Sequence, residues 1–158
     1  MKLSTKGKYG LRAMIDLAQY SEEEVVSINS ISVRQGISES YLEQLVAKLR
    51  KAGLVKSIRG AQGGYQLAKP SGEISAGDIL RALEGNLEAV DCSAFTEEGC
   101  EGAELCVAKY VWQRINESIA KTVDEMMLDQ LVEESRKAQK NKSTGLHTAV
   151  TADACRNR

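Results

Sequence analysis

Cys92, Cys100 and Cys106 stand within sixteen residues, DCSAFTEEGCEGAELC at 91–106, and make up three of the four cysteines in a 158-residue chain. Glu97, Glu98, Glu101 and Glu104 lie among them. Seven residues separate the first pair of cysteines and five the second. That spacing differs from the closely paired cysteines of structural zinc sites and from the C-x-x-C of thiol oxidoreductases. Thiolates are the natural ligands of iron–sulfur clusters, and wide spacing in a glycine-containing loop lets three sulfurs wrap an object larger than one ion. On these residues alone three chemistries stay open: an iron–sulfur cluster, a zinc ion, and free or redox-active thiols. Each glutamate taken singly reads as a solvated side chain.

The rest of the chain bounds the setting of this loop. With 42% hydrophobic, 27% charged and only 4% aromatic residues, it reads as one ordinary folded domain with appendages, its core built from Leu, Ile, Val and Ala. No apolar run approaches the roughly 18–20 residues of a membrane span. The basic N-terminus, MKLSTKGKYG, has no hydrophobic segment behind it and is not a secretory signal. A cytoplasmic location is expected, where thiols stay reduced. The net charge of −1 hides an asymmetry, with +5 over residues 1–70, −3 over 71–90, −8 over 91–134 and +5 over 135–158. A basic front joined to an acidic middle suits a polyanion partner that meets only the front.

The elements that position these groups follow from periodicity and punctuation. Tyr9, Ala13, Leu17 and Tyr20, with Met14 and Ala18, predict an amphipathic helix over 6–20. After SEEE, a short strand is expected at VVSI. Ser27 can cap a short helix to about Gln35, which Gly36 ends; Ser38 can cap a second, with Leu42, Leu45, Val46 and Leu49 as its apolar stripe and Gly53 as its stop. Two short helices joined by a tight glycine turn make a helix-turn-helix. In GLVKSIRGAQGGYQLAK, Leu54, Val55 and Ile58, then Tyr65 and Leu67, predict a β-hairpin with a glycine-rich tip at Gly60, Gly63 and Gly64, the wing beside a recognition helix. That tip lacks the G-x-x-x-x-G-K-[ST] pattern, and no helix opens behind it, which argues against a nucleotide-phosphate loop. Ser75 and Asp78 can form a capping pair for AGDILRALEG, closed by Gly85. Leu105, Ala108, Trp112, Ile115, Ile119, Thr122 and Met126 recur at steps of three and four, predicting a helix of roughly 33 Å that pairs with its twin in a homodimer. MLDQLVEES adds a last short turn, and the polar remainder, which holds His147 and Cys155, reads as disordered.

The fold class is therefore mainly α with a small β wing. A winged helix-turn-helix spans residues 1–85, a cysteine-containing loop 86–104, a dimerisation helix with a short terminal helix 105–134, and a disordered tail 135–158. With the apolar stripe turned inward, Ser38, Ser40, Tyr41, Glu43 and Gln44 remain at the N-terminal half of the recognition helix, where such helices meet base edges. Gln can pair with adenine, and Glu can accept from cytosine N4. Arg50, Lys51, Lys56 and Arg59 are candidates for phosphate contacts; Arg59, beside Gly60 at the wing tip, can enter a narrow minor groove. For Glu43 the alternative is a solvated residue paired with a nearby lysine.

Taken together, STKGKYGLRAMIDLA, ISESYLEQLVAKLRKAGLVKSIRGAQGGY, ISAGDILRALEG and the three-cysteine loop resemble the IscR-like winged-helix regulators, the Rrf-two type, which also includes CymR and NsrR. The resemblance runs from residue 1 to about 134. It implies a homodimeric regulator binding double-stranded operator DNA, with Ser40, Glu43 and Gln44 at base-reading positions and Arg59 at the wing contact. It implies an iron–sulfur cluster on Cys92, Cys100 and Cys106, 2Fe-2S in preference to 4Fe-4S, in a regulator of cluster-assembly genes. Two fourth-ligand solutions known in the family do not carry over. The histidine three residues after the third cysteine is replaced by Lys109, and the N-terminal aspartate of the nitric-oxide sensors by Lys8. The alternatives are a CymR-like repressor of cysteine metabolism signalled by a protein partner, a nitric-oxide or redox-sensing repressor, and a zinc or redox interaction module without DNA. An enzyme is not expected, because the folded part holds no cysteine–histidine or serine–histidine arrangement.

Overall fold

A computed structural model describes residues 3–22, 24–95 and 99–143. Helix α1 (Thr5–Tyr20) is followed by α2 (Ile28–Gln35), α3 (Glu39–Lys51), strands β1 (Val55–Ile58) and β2 (Gly64–Leu67), α4 (Ala76–Glu84), α5 (Ala108–Glu125) and α6 (Leu128–Ser143).

Local chemistry explains most of the boundaries. Ser27 accepts from the Ser30 N–H at the start of α2. Gly36 ends that helix in the left-handed region, at φ 64°, which a side chain rarely tolerates. Ser75 and Asp78 form a complete capping box, with bonds of 3.0 and 2.9 Å, and Gly85 closes α4. Ser38 takes the N-cap position of α3 without using its side chain as a cap. The start of α1 is held from a distance: Glu84 Oε1 accepts from Ser4 N at 2.9 Å, Ser4 Oγ at 2.6 Å and Gly7 N at 2.9 Å. A carboxylate at a helix N-terminus is favoured by the helix dipole.

Met14 and Leu17 of α1, Ile31 of α2, Leu42, Leu45 and Leu49 of α3, Ile74, Ile79 of α4 and Leu128 of α6 are the largest fully buried side chains. The two strands pair antiparallel, Val55 with Leu67 through Ile58 with Gly64. VVSI contributes one bridge and not a strand: Val26 and Tyr65 exchange backbone bonds of 3.0 and 2.8 Å, which ties the wing to the body.

Three expectations change in the C-terminal part. The long helix starts at Ala108, leaving Leu105 and Cys106 in turns that bond back to Gly102 O, and ends at Glu125. Its length is therefore about 27 Å. Met126 is drawn out of the helix because its carbonyl accepts from Ala76 N while Ser75 bridges Met127. The segment from residue 135, expected as disordered, continues as α6 to Ser143. Contacts with α1 carry it on: Gln19 bonds Gln139 at 2.9 Å and Ser135 at 3.0 Å, and Arg136 pairs with Glu22 at 3.0 Å. The remainder of that tail, including His147 and Cys155, lies outside the described residues.

Candidate nucleic-acid interface and cysteine site

The candidate reading face grows from the stripe that anchors α3. Burial of Leu42, Leu45, Val46 and Leu49 leaves Ser38, Ser40, Glu43 and Gln44 exposed together, with Arg50 and Lys51 at the helix end. Tyr41 is half-buried, its ring edge-on to Tyr9 of α1 at 6.1 Å between centroids. Arg12 lies over the other ring of this pair, Tyr9, at 5.4 Å. Asn29 of α2 donates to Glu39 at 2.7 Å, bracing the first turn of α3.

The orientation of α2, and so of the turn before α3, depends on an ionic network that periodicity does not reveal. Asp16, only 3% exposed on α1, accepts from Arg34 Nη2 at 2.7 Å, from Arg34 Nε at 3.0 and 3.1 Å, and from Gln35 Nε2 at 2.8 Å. The hydrogen bond to Asp16 holds the Arg34 guanidinium above its ordinary value, against the opposing effect of burial. Arg34 also lies over the Tyr20 ring at 4.1 Å. Arg12 extends the brace by donating to the Gln35 carbonyl at 2.6 Å. The sequence signal was an aspartate inside the apolar stripe of α1, between Met14 and Leu17.

The wing carries exposed Lys56, Arg59 and Gly60. Gly63 donates to the Gly60 carbonyl at 3.0 Å. A Cβ at Gly63 would come within 2.6 Å of the Ile58 carbonyl oxygen, and one at Gly64 within 2.5 Å of the Val26 carbonyl oxygen. Gly63 and Gly64 therefore serve close backbone approach, whereas Gly60 stands in open space with φ 134°, a conformation side chains rarely adopt, consistent with a hairpin and not a phosphate cradle.

On the far side of α4, Cys92, Cys100 and Cys106 are free thiols; Cys92 and Cys106 are half-buried and Cys100 is exposed. Their chemistry suits a thiophilic iron group. They sit on one loop without converging: among the described residues, no group of three or more His, Cys, Asp or Glu side chains could hold a metal ion. Glu101 and Glu104 are exposed, whereas Glu97 and Glu98 lie outside the described residues. Lys109 is engaged elsewhere, donating to the Ala103 carbonyl at 2.5 Å with its ammonium 5.3 Å from the Tyr110 ring centre. Lys8 is exposed on α1.

The loop is tied to α5, and α5 in turn to α4. Asn116 of α5 bonds the backbone at Ala89 and Val90. Arg81 of α4 meets Asp124 of α5 through two bonds, of 2.6 and 2.9 Å. That hydrogen bonding raises the Arg81 guanidinium and lowers the Asp124 carboxyl from their usual values. Along α5 no residue is buried, and Tyr110, Val111 and Ile115 are exposed, as are Leu105, Val107 and Met126 at its ends.

Comparison with known proteins identifies the arrangement. The Rrf2 model, described as an iron-dependent transcriptional regulator, matches residues 3–134. The chain belongs to the Rrf2 family. Among relatives of this Rrf2 chain, the HTH-type transcriptional regulator IscR of Pectobacterium carotovorum subsp. carotovorum (strain PC1) is 42% identical over 132 residues, covering 84% of this chain and 79% of that protein. T. potens IscR, a solved structure, is 48% identical with a TM-score of 0.70, covering 88% of this chain and 91% of that one. CymR, the global cysteine regulator of B. subtilis, is 44% identical with a TM-score of 0.71, covering 85% and 98%. The Rrf2 chain is thus a DNA-binding transcriptional regulator with the winged-helix fold of these relatives. No helix among its described residues is long and apolar enough to cross a membrane.

Proposed function

We propose that this chain is a homodimeric, cytoplasmic regulator whose operator preference changes with the occupancy of an iron–sulfur cluster on Cys92, Cys100 and Cys106, serving the control of cluster-assembly genes. The observation that carries this reading is the placement of three free thiols on the one loop that leaves α4 of the DNA-reading unit and enters α5. A 2Fe-2S cluster is favoured over 4Fe-4S.

The chain's own residues divide the work. Gln44 offers a bidentate donor–acceptor pair to adenine, and Glu43 accepts from cytosine N4 while repelling phosphate. Ser38, Ser40 and the Tyr41 hydroxyl flank them on α3. Arg50, Lys51 and Lys56 bind phosphates, and Arg59 with Gly60 enters the minor groove. An exposed apolar face on a helix of 18 residues with none buried fits a second copy of α5. Two copies demand two half-sites one or more helical turns apart.

Bound to three thiolates and a weaker fourth ligand, the cluster would supply an iron open to oxygen, nitric oxide or competing acceptors. The route to α3 runs from Asn116 and Arg81–Asp124 through α4 to Glu84, which holds the start of α1, and on through Tyr9 to Tyr41. Coupling is reciprocal, so the preferred operator must tighten cluster retention by the same factor.

The test is anaerobic purification followed by iron and acid-labile sulfide analysis, absorption and EPR spectra, and binding of holo and apo protein to an operator panel. Iron and sulfide with a changed operator ranking support the proposal. Colourless protein that stays so after reconstitution, or equal ranking of operators, refutes it and leaves a CymR-like repressor answering to a protein partner.

A further inference from the structure

Asn116 faces the segment that leads from α4 to Cys92, and both the oxygen and the nitrogen of its carboxamide are engaged there. Oδ1 accepts from the backbone N–H of Ala89 at 2.9 Å and of Val90 at 3.4 Å, and Nδ2 donates to the Val90 carbonyl at 3.0 Å. All these bonds grip main chain. They therefore define the path of the segment irrespective of the side chains it carries, much as a neighbouring strand would. Val90 precedes Cys92 by two residues, and Cys106 precedes α5 by two. Two other polar ties leave this helix: Arg81–Asp124 reaches α4, and Lys109 reaches the Ala103 carbonyl between Cys100 and Cys106, so neither touches the segment before Cys92.

We propose that Asn116 is a positioning residue for the first cysteine. By clipping Ala89–Val90 to α5, it fixes Cys92 relative to the helix that Cys106 leads into, so two of the three sulfurs are presented from one framework. The purpose of that placement rests on the cluster reading above, whereas the placement itself belongs to the iron-free chain. The role demands an amide. A carboxylate keeps the acceptor for two N–H groups but turns a second oxygen towards the Val90 carbonyl, and a methyl group offers neither bond.

The experiment is limited alkylation of the full-length, metal-free protein with iodoacetamide, read by mass spectrometry as the rates at Cys92 and Cys106 relative to Cys100 in the same sample. In the parent protein the half-buried Cys92 and Cys106 react more slowly than exposed Cys100. Asn116→Ala raises the Cys92 ratio about tenfold, the factor matching the loss of one to two net backbone hydrogen bonds, and leaves the Cys106 ratio unchanged. The near-isosteric Asn116→Asp gives a smaller rise at Cys92 alone. An unchanged Cys92 ratio in both variants overturns the proposal. So does an equal rise at Cys92 and Cys106, which would make Asn116 a general support of α5. No iron is present, so the outcome is separable from the cluster test: a selective rise at Cys92 in a protein that never binds iron keeps the clip and discards the cluster.

Discussion

Removing the carboxylate of Asp16 tests whether the ionic brace between α1 and α2 sets the helix-turn-helix. Asp16→Ala deletes four hydrogen bonds, of 2.7 to 3.1 Å, from Arg34 and Gln35. Breaking a fully buried pair by deleting one partner costs about 3–5 kcal/mol. Here the Asp16 side chain is 2% exposed, but the Arg34 side chain keeps 31% exposure, so water re-solvates part of the stranded guanidinium. The expected loss is therefore about 2–3 kcal/mol, or a fall in Tm of about 5–10 °C for a chain of this size. Urea denaturation of Asp16→Ala, Arg34→Ala and the double variant isolates the pair. Arg34→Ala also loses the contact over Tyr20, but that loss occurs on both arms of the cycle and cancels. The double variant should cost at least about 1 kcal/mol less than the sum of the singles. A single-variant loss below about 0.5 kcal/mol, the range of ordinary surface changes, or an additive cycle, would refute the reasoning. Arg34→Lys should recover only part of the coupling, since an ammonium cannot reproduce the two-pronged contact.

Glu43→Ala should relax base discrimination, improving binding to operators that lack a cytosine amino donor by about 1–3 kcal/mol, as measured by fluorescence anisotropy across single-base variants. Arg59→Ala should weaken binding across operators and make the slope of log K against log salt shallower by about one. For Glu84, burial pushes the carboxyl up, but hydrogen bonds from the Ser4 hydroxyl and the Gly7 and Ser4 N–H groups, with the charge of Lys6, outweigh it and leave the folded value below the ordinary 4.5. Its stabilising contribution is then complete above 4.5 and lost as pH falls through the depressed folded value, so thermal melts should show the parent losing more stability than Glu84→Gln as pH drops below 4.5.

The reading head was legible because its determinants are local. Ser27, Gly36, the Ser75–Asp78 box and the Leu42–Leu49 stripe each act within a few residues, and the helices they define were found where expected. What escaped depends on distant partners. α6 runs past residue 135 because Gln139 finds Gln19, 120 positions away. Met126 leaves α5 because Ala76 claims its carbonyl. Asp16 and Asn116 are polar residues whose roles emerge only once Arg34 and the Ala89–Val90 backbone are folded against them. The cysteines stood out in the sequence because thiol chemistry is carried by residue type, but as free thiols they do not gather with each other or with His, Asp or Glu into a metal-holding group among the described residues. The ammonium at Lys109 is taken up by a backbone carbonyl.

A Cβ at Gly10 would overlap the Leu83 side chain, and one at Gly7 would reach within 2.6 Å of Glu84 Oε1, so α1 and α4 meet with no side chain of α1 between them at these two positions. A larger residue at either glycine is accommodated only if the end of the Leu83 or Glu84 side chain moves aside. At Gly7 that movement would take the carboxylate away from Ser4 and from the Gly7 N–H, so the same contact that seats the two helices also caps one of them.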